Sequence, residues 1–198
     1  MNPPFSMDTP DTSTTRYEIE VKLPVPDLGT LRERLRARKA REITSPHHES
    51  NDIYDEADGT LRKSGRLLRL RRTDHGATLT YKGPARFEEG ARTREERETA
   101  VSDPNEMERI LRALGFERRF RYEKRREEWF LEECVIALDE TPIGTFAEVE
   151  GDPAAIRRVL QLLELDPSET LPYSYAELYA RRRREDPALP ADMLLDPS

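Results

Sequence analysis

The chain has one cysteine, Cys134, and three histidines among its 198 residues. A lone thiol cannot close an internal disulfide, and no Cys/His cluster offers a zinc site. Cys134 lies in the apolar run Cys134-Val135-Ile136-Ala137-Leu138, so a small buried hydrophobe is expected rather than a catalytic thiol. A basic excess is also missing. Lys and Arg number 33 against 40 Asp and Glu, a formal charge of -7, which argues against a non-specific nucleic-acid binder. No apolar run reaches membrane-spanning length, and residues at the start lack a basic-then-apolar leader, so no membrane and a cytoplasmic location are expected. Hydrophobic residues make up only 35%, lean but sufficient for one core in a chain of this size.

What the chain has in quantity is charge, 37% of all residues, arranged with period two. In Glu18-Ile19-Glu20-Val21-Lys22, two carboxylates and an ammonium share one face of a strand while Ile19 and Val21 share the other. Residues 1–15 hold three prolines with Ser, Thr and Asp and read as a disordered lead. Strand 16–23 ends at Pro24 and Pro26, and Asp27 caps a helix that reaches residue 40. Strands are expected at 49–55, 66–72 and 77–82, the last two as a hairpin across Asp74-His75-Gly76, with residues 61–63 a short connector before them. Residues 85–91 read as a mobile loop and 92–101 as strand. A helix follows at 104–114, with Met107, Ile110, Leu111 and Leu114 on one side. Strands at 120–131, 135–140 and 145–151, a helix at 153–165 and a last helix from Ser174 complete a domain over 16–180. Residues 181–198 form a charged, proline-bearing tail expected to fray. The fold class is α+β, an eight-stranded antiparallel sheet able to close into a barrel flanked by helices.

Period two gives the same polarity on seven strands. Glu18, Glu20 and Lys22 align; so do Arg69 and Arg71, with Leu68 and Leu70 behind them. Thr78, Thr80 and Lys82 align, as do Arg94, Glu96 and Glu98, then Lys124 and Arg126, Asp139, and finally Glu148 and Glu150. This set holds seven acids and seven bases. On a closed sheet the charged faces line the interior and the apolar faces lie outside, under helices, the inverse of a small barrel filled with aliphatic side chains. A charged lumen is costly unless an ionic ligand occupies it. The bases would grip phosphates, and the carboxylates would suit Mg²⁺ or Mn²⁺, hard cations that choose oxygen. The alternative for any one strand is a flat sheet whose solvated face carries a salt-bridge ladder. Agreement among seven strands favours the tunnel. His47 and His48 read as exposed residues of a polar loop, and Trp129 and Tyr122 as packing residues of the outer face rather than stacking platforms.

The order and spacing of several motifs resemble the CYTH family, the triphosphate tunnel metalloenzymes, from about Tyr17 to Tyr179. The matching pieces are Glu18-x-Glu20-x-Lys22, Asn51-Asp52-Ile53-Tyr54-Asp55, Leu68-Arg69-Leu70-Arg71, Leu79-Thr80-Tyr81-Lys82-Gly83-Pro84 and Thr93-Arg94-Glu95-Glu96. Later pieces are Lys124-Arg125-Arg126, Leu138-Asp139-Glu140, the run from Gly144 to Gly151, and Ser174-Tyr175-Ala176-Glu177-Leu178. The resemblance implies an eight-stranded tunnel that holds a triphosphate with a divalent metal. Carried over, Glu18, Glu20, Glu148 and Glu150 would be the main metal ligands, supported by Glu96, Glu98 and Asp139. Lys22, Arg69, Arg71, Lys82, Arg94, Lys124 and Arg126 would hold phosphate, with Glu18, Glu20, Lys22 and Glu150 closest to the chemistry. Tyr81-Lys82-Gly83-Pro84 and Ser174-Tyr175-x-Glu177-Leu178 most resemble the class IV adenylyl cyclase branch, which makes cyclic AMP and pyrophosphate from ATP. The family also contains inorganic and thiamine triphosphatases, and a non-catalytic polyphosphate- or nucleotide-binding module is a further alternative. A homodimer is an expectation of the resemblance alone.

Overall fold

A computed structural model describes residues 16–88 and 91–196, so the disordered lead expected at 1–15 lies outside the described residues. Nine strands form one sheet: β1 (Arg16–Pro24), β2 (Arg41–Asp55), β3 (Leu67–Thr73), β4 (Gly76–Lys82), β5 (Arg86–Glu88), β6 (Ala91–Val101), β7 (Glu117–Leu131), β8 (Cys134–Thr141) and β9 (Gly144–Glu150). Eight of them run β1-β9-β8-β7-β2-β3-β4-β6, and antiparallel pairing of β6 back onto β1, with Ile19 opposite Thr93, closes the barrel. The ninth, β5, falls where a mobile loop was expected. Gly83 N–H bonds Glu95 O, which keeps the chain against β6 after the break at Pro84, so Arg86 comes to lie opposite Thr93.

The helices are α1 (Leu28–Ala37), α2 (Thr60–Lys63), α3 (Pro104–Ala113), α4 (Pro153–Leu162) and α5 (Tyr175–Glu185). Their starts follow from short side chains that accept from orphan N–H groups: Asp27 from Gly29, Asp103 from Asn105 and Glu106, Asp152 from Ala154, and Ser174 in a reciprocal capping box with Glu177. Val21 and Leu23 of β1, Ile136 and Leu138 of β8 and Val149 of β9 turn outward and pack under Leu31 and Leu35 of α1 and Ile156, Val159 and Leu160 of α4. Burying each such side chain contributes about 1.5–3 kcal/mol. A smaller outer cluster, Tyr54, Leu70, Ala77 and Val101, sits against Leu111 of α3. Of that helix's expected apolar side Leu111 is buried and Met107 packs partly buried beside it, while Ile110 and Leu114 are exposed.

Three further expectations are corrected. Strand β2 begins at Arg41, eight residues before the period-two signal; Pro46 lacks an N–H, and register shifts between Glu42 and Thr44 and between Thr44 and His47 carry the pairing with β7 past it. His47 and His48 therefore lie in a strand, opposite Arg126 and Arg125, rather than in a loop. The tail does not fray at Arg181. Helix α5 continues to Glu185, and the chain then returns so that Met193, 1% exposed, exchanges backbone hydrogen bonds with Arg121 and Glu123 of β7. Asp192 fixes this return by accepting from Arg118 and from the Arg121 N–H. As expected, Cys134 is buried, and burial pushes its thiol up to about 11, so it is no nucleophile.

Candidate active site

The barrel interior is a cavity of about 180 Å³ whose walls carry Glu18, Glu20 and Lys22 (β1), Arg69 and Arg71 (β3), Lys82 (β4) and Arg94, Glu96 and Glu98 (β6). Lys124 and Arg126 (β7) and Glu148 and Glu150 (β9) complete the expected set. Thirteen of the fourteen residues singled out by alternation thus share one lumen. The exception is Asp139, which lies beneath the surface, fully buried. Its Oδ1 accepts from Arg126 Nε at 2.7 Å, and its Oδ2 accepts from Lys124 Nζ at 3.1 Å, Arg126 Nη2 at 2.6 Å and the Tyr175 hydroxyl at 2.6 Å. Its oxygens are committed, so it positions cations instead of facing a metal.

The other carboxylates also meet cations. Glu18 accepts from Lys82 Nζ at 2.5 Å, Glu96 lies 3.1 Å from the same ammonium, and Glu148 pairs with Lys22 at 3.0 Å and with Arg126. Arg69 reaches Thr80 and Glu98, and Arg71 lies 3.5 Å from Glu49. Burial alone would strip charge from Lys82, but the Glu18 and Glu20 carboxylates outweigh it and hold its pKa above the ordinary lysine value. The reverse holds for Glu148. Burial raises its carboxyl, yet Lys22, Arg126 and Lys124 keep it well below the usual range. Arg94, buried beside Arg92, falls to about 10 and bonds the Gly83 carbonyl through Nε and Nη2.

Among the described residues no three His, Cys, Asp or Glu side chains converge on one point. The fit to a divalent cation rests instead on a like-charge contact. Glu20 of β1 and Glu150 of β9 stand directly opposite each other on the lumen face, an arrangement that repels unless a cation lies between them. Burial and the neighbouring Glu18 and Glu148 carboxylates raise the pKa of Glu20 and outweigh Lys82 and Lys22, even with Arg92 Nη1 3.8 Å from its carboxylate. Hard oxygen donors in that setting suit Mg²⁺ or Mn²⁺.

Several lumen residues escaped the sequence reading. Glu49 and Asn51 of β2 face Lys124 and Tyr122 across the β2–β7 ladder, and Asn51 is fully buried with neither amide atom bonded to protein. Both lie in the strand expected at 49–55, but residues 49–52 are all polar, so alternation does not mark their inward face. Tyr122, expected outside, lines the lumen, where its hydroxyl accepts from Arg69 at 3.4 Å. The signal was present, since 122 has the parity of 124 and 126. Trp129, of opposite parity, is buried in the outer core, as expected. Tyr175 could not be placed from local pattern. It enters from α5, and Lys22 Nζ stands 3.8 Å over its ring. Gly151, last residue of the β9 motif, bonds Ile19 O through its N–H, and a Cβ there would stand 2.7 Å from Cys134 Sγ.

The chain that forms this barrel matches a family model, the CYTH domain, over residues 16–181. The chain belongs to the CYTH domain family. A Methanocaldococcus jannaschii protein named "Putative adenylate cyclase" is 28% identical over 173 residues, 81% of this chain and 97% of that protein. Among solved structures, a Pyrococcus horikoshii protein of the same fold gives a TM-score of 0.71 at 26% identity, covering 84% of this chain and 99% of that one. A Hippeastrum protein described as a "putative adenylyl cyclase" with a dominant triphosphatase activity gives 0.65 at 21%, covering 89% and 99%. Among the described residues of this CYTH chain no helix is long and apolar enough to cross a membrane.

The CYTH barrel's stability should depend on its buried carboxylates. Glu49 is 2% exposed; burial raises its carboxyl, but Lys124, Arg126 and Arg71 outweigh this and hold it far below the ordinary 4.5. A depressed folded-state pKa contributes stability that is present above the unfolded value and lost as pH falls. Glu20, raised instead, contributes the opposite slope, so a single substitution is needed to isolate Glu49. The urea midpoint of the wild type is expected to decline from about pH 4.5 downward, and Glu49→Gln to flatten that decline. Identical pH slopes in the two proteins would contradict the assignment.

Proposed function

We propose that this CYTH protein is a metal-dependent enzyme acting on a triphosphate held in the barrel lumen, with conversion of ATP to cyclic AMP and pyrophosphate as its reaction. The observation that carries this reading is the convergence of Lys22, Arg69, Arg71, Lys82, Arg94, Lys124 and Arg126 on one cavity of about 180 Å³. The cyclase form is supported by the relative named as an adenylate cyclase, which this chain matches over 97% of its length.

In that reaction the 3′-hydroxyl loses its proton to water as its oxygen bonds to the α-phosphorus, the bond to the α–β bridging oxygen breaks, and pyrophosphate departs. Arginines of β3 grip the non-bridging oxygens in bidentate fashion, Lys124 and Arg126 of β7 add positive charge beside them, and Lys82 and Lys22 neutralise the charge that accumulates on the leaving group. Their stiff placement on strands holds the chain in line for displacement. Glu18, Glu20, Glu148 and Glu150 would hold Mg²⁺ or Mn²⁺, which supplies charge neutralisation and a template for the phosphate oxygens. Hydrolysis of a triphosphate, inorganic or thiamine-linked, is the second reading. It is favoured by the triphosphatase activity described for the Hippeastrum protein of the same fold.

The two are separated by incubating the protein with Mg²⁺ or Mn²⁺ and ATP, tripolyphosphate or thiamine triphosphate. Cyclic AMP with pyrophosphate is expected; orthophosphate without a cyclic nucleotide would replace the cyclase by the hydrolase. Metal-dependent binding without turnover of any of the three would make the chain a binding module. Lys82→Met should raise KM for the triphosphate by about 10-fold or more, since it removes a desolvated charge contact.

A further inference from the structure

Lys22 meets one short segment at three points. The chain entering α5, Leu171-Pro172-Tyr173-Ser174-Tyr175, runs beside β1 until the Ser174–Glu177 capping box turns it into helix. Leu171 N–H donates to the Lys22 carbonyl at 2.7 Å, the Tyr173 carbonyl accepts from Lys22 Nζ at 3.2 Å, and the Tyr175 ring centroid lies 3.8 Å from the same nitrogen. Every second residue of the segment therefore touches Lys22. The ring is fixed in orientation. Its hydroxyl donates to Asp139 Oδ2 at 2.6 Å, the Phe146 ring stands edge-on with centroids 5.5 Å apart, and the Tyr122 ring centroid lies 6.0 Å away.

The other two lumen lysines are each held by two carboxylates, Lys82 by Glu18 and Glu96 and Lys124 by Glu49 and Asp139. Lys22 has Glu148 at 3.0 Å, an acid that Arg126 also engages and that would turn to a bound metal. An ammonium carries three donors, and a buried one must replace the water it has lost. Lys22, 5% exposed, does so with a carboxylate oxygen, a carbonyl and the negative face of an aromatic ring. Lys124 Nζ stands farther from that ring, at 5.2 Å, with its own carboxylates in place.

We infer that Tyr175 is a positioning residue of the lumen: its ring face holds the Lys22 ammonium against the phosphate chain when Glu148 is drawn away from it. This rests on the reading of the lumen as a triphosphate site. The ring carries the role, and the hydroxyl does not. Phenylalanine in place of Tyr175 keeps the π-face and loses the bond to Asp139, whereas leucine loses both. The two substitutions therefore separate the hold on Lys22 from the tie between α5 and the barrel wall.

The test is equilibrium binding of a hydrolysis-resistant imido analogue of tripolyphosphate, with Mg²⁺, to the wild type, Tyr175→Phe and Tyr175→Leu, each with and without Lys22→Met. Tyr175→Phe is expected to melt lower than the wild type yet bind within about twofold of it, and Tyr175→Leu to bind about 5-fold or more weakly. In the Lys22→Met background the same two variants should bind alike. Equal losses in Tyr175→Phe and Tyr175→Leu, or an undiminished leucine effect in Lys22→Met, would overturn the role of the ring while leaving the lumen assignment standing. A second measurement holds even where Tyr175→Leu does not fold. The Lys22 ε-methylene protons should be shifted upfield by the ring in NMR spectra of the wild type and of Tyr175→Phe, and unshifted signals would overturn the inference. Wild-type protein that binds neither the analogue nor ATP would overturn the lumen assignment and this inference with it.

Discussion

Glu150→Gln is expected to abolish metal-dependent turnover, lowering kcat by on the order of 10²-fold or more with the barrel intact. Glu150 and Glu20 face each other across the β1–β9 ladder on the lumen side, and Gln keeps the shape of the side chain while removing one negative charge. Two opposed carboxylates repel, and removing one charge relieves that repulsion. What it loses is half of the negative site that suits a divalent cation. Glu18→Gln is expected to act in the same direction, with an added loss of the Lys82 contact at 2.5 Å. Steady-state kinetics in Mg²⁺ and Mn²⁺, beside a thermal melt of each variant, measure this. Turnover within about twofold of wild type at an unchanged melting temperature would remove Glu150 from the site.

The second large effect is on stability. Asp139→Ala is expected to destabilise the fold by about 3 kcal/mol, because it removes the carboxylate on which two cations of the barrel wall converge and leaves them only Glu49 and Glu148. Lys124, 2% exposed, and Arg126 both lean on this one carboxylate, and the Tyr175 hydroxyl that ties α5 to the barrel donates to it as well. Burial and the Asp139 and Glu148 charges hold the Tyr175 phenol well above its ordinary pKa, so it remains a donor throughout the accessible range. Asp139→Asn, which retains an acceptor oxygen, should cost less than the alanine. Urea denaturation separates the three proteins. A midpoint for Asp139→Ala within about 1 kcal/mol of wild type would show that the cations find other partners.

Asp139 also shows where reading by alternation stops. Its parity placed it on the lumen face with the other acids, which is correct for the strand, but parity does not say whether a side chain reaches the cavity or lies under its neighbours. That is settled by Arg126, Lys124 and Tyr175 closing over it from β7 and α5. Tyr122 is the opposite case, legible by the parity of Lys124 and Arg126 and misassigned because an aromatic residue on a strand suggests a core. Glu49 and Asn51 lie in the strand expected at 49–55, but Glu49-Ser50-Asn51-Asp52 is polar on both faces, so no alternation shows which side turns inward.

By itself, the sequence determined the strands, their polarity and hence the inverted barrel. Alternation of charged and apolar residues is a local property of the pleat, and a charged face on seven strands leaves a closed sheet no other interior. The ends of the tunnel were decided by tertiary structure. Which acid meets which base depends on register between strands far apart in the chain, such as Glu18 with Lys82. The docking of α5 and of the returning tail on β7 is likewise a long-range contact with no signature in the local pattern of either segment.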